Sequence, residues 1–148
     1  MTYEEKLVSV YFDTENSHLY FVANGIHEKT GGVIQIHLVN ELAYPYSIED
    51  IEEFALKTMD QFDSIPWDGD TRIPLEKYLK IRGRTKVLKN KKLVMVFWTK
   101  EKGDEVCPTK NEGRKGYDGI GPDMVLPNDF QPGQLGEAIE KAIELSQL

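Results

Sequence analysis

Along the N-terminal part of the chain, hydrophobic and polar positions follow the two-residue period of a strand. Leu7-Val-Ser-Val-Tyr-Phe-Asp13 is rich in β-branched and aromatic residues. After the polar Thr14-Glu-Asn-Ser17 a similar run follows, His18-Leu-Tyr-Phe-Val-Ala23, and the pair predicts a hairpin. Gly31-Gly32 punctuates the chain before Val33-Ile-Gln-Ile-His-Leu-Val39. There Val33, Gln35, His37 and Val39 alternate with Ile34, Ile36 and Leu38, which predicts a third, half-buried strand.

The period then changes to that of a helix. Ser47 followed by Asp50 forms a capping box in its acidic variant, the serine oxygen accepting an otherwise orphaned backbone N–H. From Ile48 to Phe62, Ile48, Ile51, Phe54, Ala55, Met59 and Phe62 recur at spacings of three and four, while Glu49, Asp50, Glu52, Glu53 and Asp60 fill other positions. This is an amphipathic helix with an acidic outer side. Asp63 to Pro74 combines prolines, a glycine and aspartates and reads as a loop, with one short helical turn from Leu75 to Leu79.

In the second half, Thr85–Lys89 and Lys92–Lys100 flank Asn90-Lys91 and suggest a central hairpin, with Leu93-Val-Met-Val-Phe-Trp98 as its most buried strand. Lys110 to Pro122 holds several glycines and many charges and is expected to be a mobile loop, with a short strand at Met124-Val-Leu126 beyond it. After Pro132-Gly133, the positions Leu135, Ala138, Ile139, Ala142, Ile143 and Leu145 form a second helical stripe. Strands then a helix, twice over, predict an α+β fold: a mostly antiparallel sheet with two principal helices packed on it. A length of 148 residues suits a single domain, 1–148, with enough apolar residues for one core.

Composition narrows the class. The N-terminal Met-Thr-Tyr-Glu-Glu-Lys lacks the basic region and apolar run of a signal peptide, and no apolar run reaches the length of a membrane span. The single cysteine, Cys107, allows no internal disulfide and fits a reducing compartment, so a cytoplasmic location is expected. A formal net charge of −7 argues against general nucleic-acid binding, and no membrane partner is expected.

The charge is unevenly spread. Lys80 to Lys92 holds seven bases and no acid, whereas Glu49 to Asp70 holds eight acids against Lys57 alone. If the segment after Leu79 is extended, Lys80, Arg82, Arg84 and Lys86 all project from one face, a ribbon able to hold phosphates or to guard a strand edge.

Candidate chemistry is sparse. No nucleophile elbow, phosphate-binding loop or zinc-protease helix occurs. His18, His37 and Cys107 share no ligand spacing, and no cofactor is implied. Asp63, Asp68 and Asp70 beside Trp67 offer carboxylate oxygens to a hard cation, but their spacing matches no EF-hand, and a polar loop with an aromatic plug is the plainer reading.

Gly83-Arg84-Thr85, the strand-forming run Leu93 to Trp98, the glycine-bearing loop, Met124-Val-Leu126, and Leu135-Gly-Glu-Ala-Ile139 through Ser146 form a pattern over the C-terminal half. In this the chain resembles bacterial contact-dependent growth inhibition immunity proteins of the CdiI type. The resemblance implies a protein that binds and blocks a cognate toxin domain, frequently a nuclease, with no catalytic residues of its own. On that reading the acids Glu49, Glu52, Glu53, Asp60, Asp63, Asp68 and Asp70 face the cationic groove of the toxin, with Trp67 as aromatic anchor. The competing expectations are a nucleic-acid or ribosome-associated adaptor using the basic segment 80–92, and a small enzyme using Cys107 or an aspartate with a histidine.

Overall fold

A computed structural model describes residues 3–148; Met1 and Thr2, the first residues of the N-terminal segment read above, lie outside it. The strands are β1 (Glu5–Asp13), β2 (Leu19–Ile26), β3 (Val33–Leu42), β4 (Lys91–Thr99), β5 (Gly103–Asn111), β6 (Tyr117–Gly119) and β7 (Met124–Leu126). The helices are α1 (Ile48–Asp60), α2 (Pro74–Leu79), α3 (Arg84–Leu88) and α4 (Gln134–Leu145). The seven strands form one sheet in the order β3-β2-β1-β4-β5-β6, with β7 also on β5 and every strand pair antiparallel. The α+β architecture with two main helices is therefore as the periodicity predicts.

Alternation along the strands divides the sheet into two faces. Val8 and Val10 of β1, Leu19 and Phe21 of β2, Val94 and Val96 of β4 and Val106 of β5 meet Ile51, Ala55 and Met59 of α1 and Leu135, Ile139, Ala142 and Ile143 of α4. This is the larger core. The opposite face presents Tyr11, Tyr20, Val22 and Leu93 to Leu75, Val87 and Leu88 of the short helices.

Ser47 and Asp50 cap α1 reciprocally: the Asp50 N–H donates to Ser47 Oγ at 3.1 Å, and the Ser47 N–H donates to the Asp50 carboxylate at 3.0 Å. The α1 and α4 axes approach closely because Gly136 carries no side chain; a Cβ there would press into the carbonyl oxygen of Ile48.

Three expectations are corrected. The Thr85–Lys89 strand is instead α3, following Gly83 with φ 103°, and the central hairpin is β4–β5. Val87 and Leu88, adjacent in sequence, both bury against the sheet, which a helical turn permits and a strand does not. The more deeply buried strand of that hairpin is β5 rather than β4. Strand β3, by contrast, is half-buried as its alternation predicts, with a register shift against β2 between Val22 and Asn24 that leaves Gln35 and Val39 on one face. Finally, the expected loop over 110–122 contains the end of β5, a 3₁₀ turn at Gly113–Lys115 and β6, and the Tyr117 hydroxyl donates to the Lys91 carbonyl at 2.8 Å.

Candidate functional site on two oppositely charged faces

The acids predicted to form one patch are separated by the fold. On α1, Glu49, Glu53 and Asp60 are exposed alongside Leu56 and Lys57. Glu52 turns inward. Its carboxylate accepts the N–H groups of Gly133, Leu135 and Gly136 at 2.8, 2.9 and 3.2 Å. Helix α4 has Gly133 at its N-cap and hence no capping side chain of its own, so Glu52 satisfies its orphan donors from the neighbouring helix. The exposed side of α4 adds Glu137, Glu140 and Glu144 beside Lys141, which makes the outer surface of both long helices acidic.

Asp63 is tied into the framework. It accepts the Tyr3 hydroxyl at 2.8 Å and the Ile26 N–H at 3.0 Å, and the hydrogen bond from Tyr3 first, then desolvation and the carboxylate charge, pushes the Tyr3 phenol above its ordinary pKa. Past this anchor the chain runs from the α1 face to α2 on the other face. Along the way Trp67 packs on His27 with ring centroids 4.8 Å apart. Asp70 is bound by Arg72 at 2.9 Å and Lys77 at 3.2 Å, and the hydrogen bonds from Arg72 hold its carboxyl well below the usual range. Asp68 accepts the Asp70 N–H at 2.9 Å and has Lys77 at 3.4 Å, with the Asp70 N–H as the largest cause of its lowered pKa. His37 Nε2 stands 3.5 Å from Asp68, a charge contact too long to be a good hydrogen bond, and that nitrogen is buried without a hydrogen-bond partner among the described residues. Of the three aspartates weighed as a cation loop, Asp63 departs to Tyr3, while Asp68 and Asp70 stay together beside His37, donor atoms within 4.8 Å of one another, and already hold cationic side chains.

The four bases of the predicted ribbon do not share a strand face. Lys80 takes a left-handed conformation at the end of α2, Arg82 lies in the link, and Arg84 and Lys86 lie on α3. They nevertheless belong to a basic surface. From Thr71 to Lys89, seven bases (Arg72, Lys77, Lys80, Arg82, Arg84, Lys86, Lys89) are exposed. Glu76, the acid in that span, is buried and accepts the N–H groups of Ile73 and Gly83 at 3.3 and 3.1 Å.

Between this basic surface and the sheet lies a cavity of about 420 Å³. Leu7, Ser9, Tyr11, Leu93 and Met95 contribute from the strands, Trp67 and Thr71–Pro74 from the loop, and Arg84 and Tyr117 line it as well. The Gln35 amide donates to the Tyr11 hydroxyl at 2.9 Å. Burial pushes the Tyr11 and Tyr117 phenols up, and the Arg84 charge opposes the rise at both, so the guanidinium acts on the two rings together. A smaller hollow of about 250 Å³ shares Arg84 and adds Lys89 and Arg114.

No protein-family model matches the chain, and no curated protein matches it significantly. Solved structures do. A protein of unknown function from Neisseria meningitidis superimposes with a TM-score of 0.73 at 15% identity, covering 99% of this chain and 99% of that one. A chain of the CdiA-CT/CdiI toxin and immunity complex from Yersinia pseudotuberculosis superimposes with a TM-score of 0.70 at 14% identity, covering 97% and 98%. The chain shares their fold. The likeness of fold to a chain of that complex covers nearly the whole chain, not the C-terminal half alone.

Cys107 lies on β5 beside Glu105 and Asp123, the three donor atoms within 4.8 Å of one another. Burial foremost, then the two carboxylates, pushes its thiol up to about 12, which keeps it protonated and unreactive at neutral pH. His18 meets Glu41 at 2.8 Å and His37 meets Asp68, both on the β2–β3 side, with β1 and β4 between them and Cys107. Among the described residues no helix is long and apolar enough to cross a membrane.

Sequence reasoning singled out Trp67, Asp70 and Arg84 but missed the cavity they line. One signal was present: β1 has one purely apolar side, Val8, Val10 and Phe12, and one mixed side, Leu7, Ser9 and Tyr11. Glu52 as a helix cap carried no local signal, since its partners lie more than 80 residues away.

Proposed function

We propose that the chain is an immunity protein that binds and neutralises the toxin domain of a contact-dependent growth inhibition system. The observation that carries this reading is its shared fold, over 97% of its length, with a chain of a toxin and immunity complex. The outer side of α1 and α4 supports it. Glu49, Glu53, Asp60, Glu137 and Glu140 are exposed acids whose carboxylates form no hydrogen bond or ion pair among the described residues. A nuclease toxin must present cations to its phosphate substrate, so such a surface can occupy the same groove and speed encounter. The immunity protein supplies no catalytic step and takes no cofactor.

The test is calorimetric titration of a toxin C-terminal domain encoded beside this chain, alongside growth of cells expressing that toxin with and without it. The wild-type chain should protect the cells and bind one to one. The triple charge reversal Glu49→Lys, Glu53→Lys, Asp60→Lys should weaken binding at least about tenfold and flatten its salt dependence. Unchanged affinity would remove the acidic helices as the docking face, and absence of both protection and binding would defeat the immunity reading.

A second reading rests on the seven exposed bases of 71–89, which fit a nucleic-acid or ribosome-associated adaptor. It requires RNA or duplex binding that falls steeply with salt.

A further inference from the structure

We propose that the cavity between the sheet and the 67–74 loop binds a small aromatic anion, a flat ring system carrying a carboxylate, sulfonate or phosphate, with Arg84 as its anchor. This stands apart from the toxin reading and uses the other face of the sheet.

The volume of about 420 Å³ falls in the range of small-molecule sites. Leu7, Leu93 and Met95 offer an apolar bed, and Trp67 and Ile73 offer apolar surface from the loop, dimensions and chemistry that suit a planar ring. The charged groups on the lining are not equivalent. Asp70 and Arg72 neutralise one another in a two-pronged pair, and Lys77 adds a second cation to Asp70. Arg84 forms no ion pair among the described residues, is exposed, and borders both hollows. It is the lining charge left for a ligand.

The neighbouring hydroxyl is disposed to help. Tyr11 accepts from the Gln35 amide, which leaves its own proton to donate, and burial keeps that proton on the phenol. Guanidinium and phenol together form a charge-assisted donor pair of the kind that holds a carboxylate or phosphate. The surrounding bases of 71–89, with Glu76 of α2 as the buried acid among them, add a positive potential that concentrates anions at the mouth.

The probe is 8-anilinonaphthalene-1-sulfonate, a planar aryl sulfonate, titrated into the folded protein by fluorescence and calorimetry. Saturable one-to-one binding is expected. Arg84→Ala, a change at an exposed side chain, should weaken it at least about tenfold, the loss of one charge-assisted contact. Met95→Trp should abolish it by filling the cavity, and indole-3-carboxylate should displace the probe while uncharged indole should not. No saturable binding, equal binding by Arg84→Ala, or equal competition by indole would each overturn the proposal.

Discussion

Under α1 and α4 the sheet offers Val8, Val10, Leu19, Phe21, Val94 and Val96, an apolar surface closed by two helices of 13 and 12 residues. Under α2, α3 and the 63–73 loop it offers Ser9, Tyr11, Asn24 and Gln35 among its apolar residues, closed by helices of six and five residues. The difference is one of covering capacity. A long amphipathic helix buries a continuous stripe and seals its face; the two short helices bury Pro74, Leu75, Glu76, Val87 and Leu88 and leave a hollow beside them. The charges follow the same division. On the sealed face an acid, Glu52, is drawn into the structure, whereas on the open face the bases remain in solvent and the acid Glu76 is the one consumed.

The comparison is tested hardest at the α1–α4 contact. Gly136→Ala places a methyl against the Ile48 carbonyl, backbone that cannot move aside without separating the helices. The expected cost is about 3 kcal/mol or more, read as a fall in urea midpoint with unchanged slope. On the open face Lys86→Ala, exposed on α3, should change stability by less than about 0.5 kcal/mol. Equal effects at the two positions would mean that the faces do not differ in packing.

Glu52 comes next. Its two oxygens satisfy three N–H groups at a helix start, so Glu52→Ala should cost about 2 kcal/mol, and Glu52→Gln about half that through lost charge. Glu49→Ala, one turn earlier and exposed, is the control and should be nearly silent. A silent Glu52→Ala would show that α4 finds its cap elsewhere and that Glu52 is as available to a partner as Glu49.

These pairs also show what a sequence can carry. The Ser47–Asp50 box, the α1 and α4 stripes and the β1–β2 hairpin rest on contacts within a few residues, and each is legible locally. The rest depends on distant partners. Glu52 and Glu53 are indistinguishable until α4 is placed. Lys91, read as part of a polar connection, is a buried strand residue because Asp13 meets its ammonium at 3.3 Å. Strand β5 escaped notice because Asp104, Glu105 and Pro108 break its apolar pattern, and Pro108 is tolerated where β5 passes beyond β7. The alternation of Lys80 to Lys86 was a true regularity of sequence with no strand beneath it, yet the surface it signalled is basic all the same.

A further effect concerns Asp104, a buried acid of the sealed face that forms no ion pair among the described residues. Asp104 lies opposite Trp98 of β4 and Leu126 of β7, and burial raises its carboxyl to about 6. Between the ordinary carboxyl pKa and about 6 the folded protein holds a proton that the unfolded chain releases. The stability owed to this group is therefore complete below about pH 4 and is lost as pH rises through about 6. Asp104→Asn mimics the protonated acid, so it should match the wild type at pH 4 and exceed it at pH 7.5 by about 1 kcal/mol, less than the roughly 3 kcal/mol of a fully dry site because solvent screens part of the carboxyl, a rise in Tm of about 2–4 °C. A variant less stable than wild type at pH 7.5 would mean that the Asp104 carboxylate is solvated or paired there, and that the sealed face admits water at its β5 end much as the open face does.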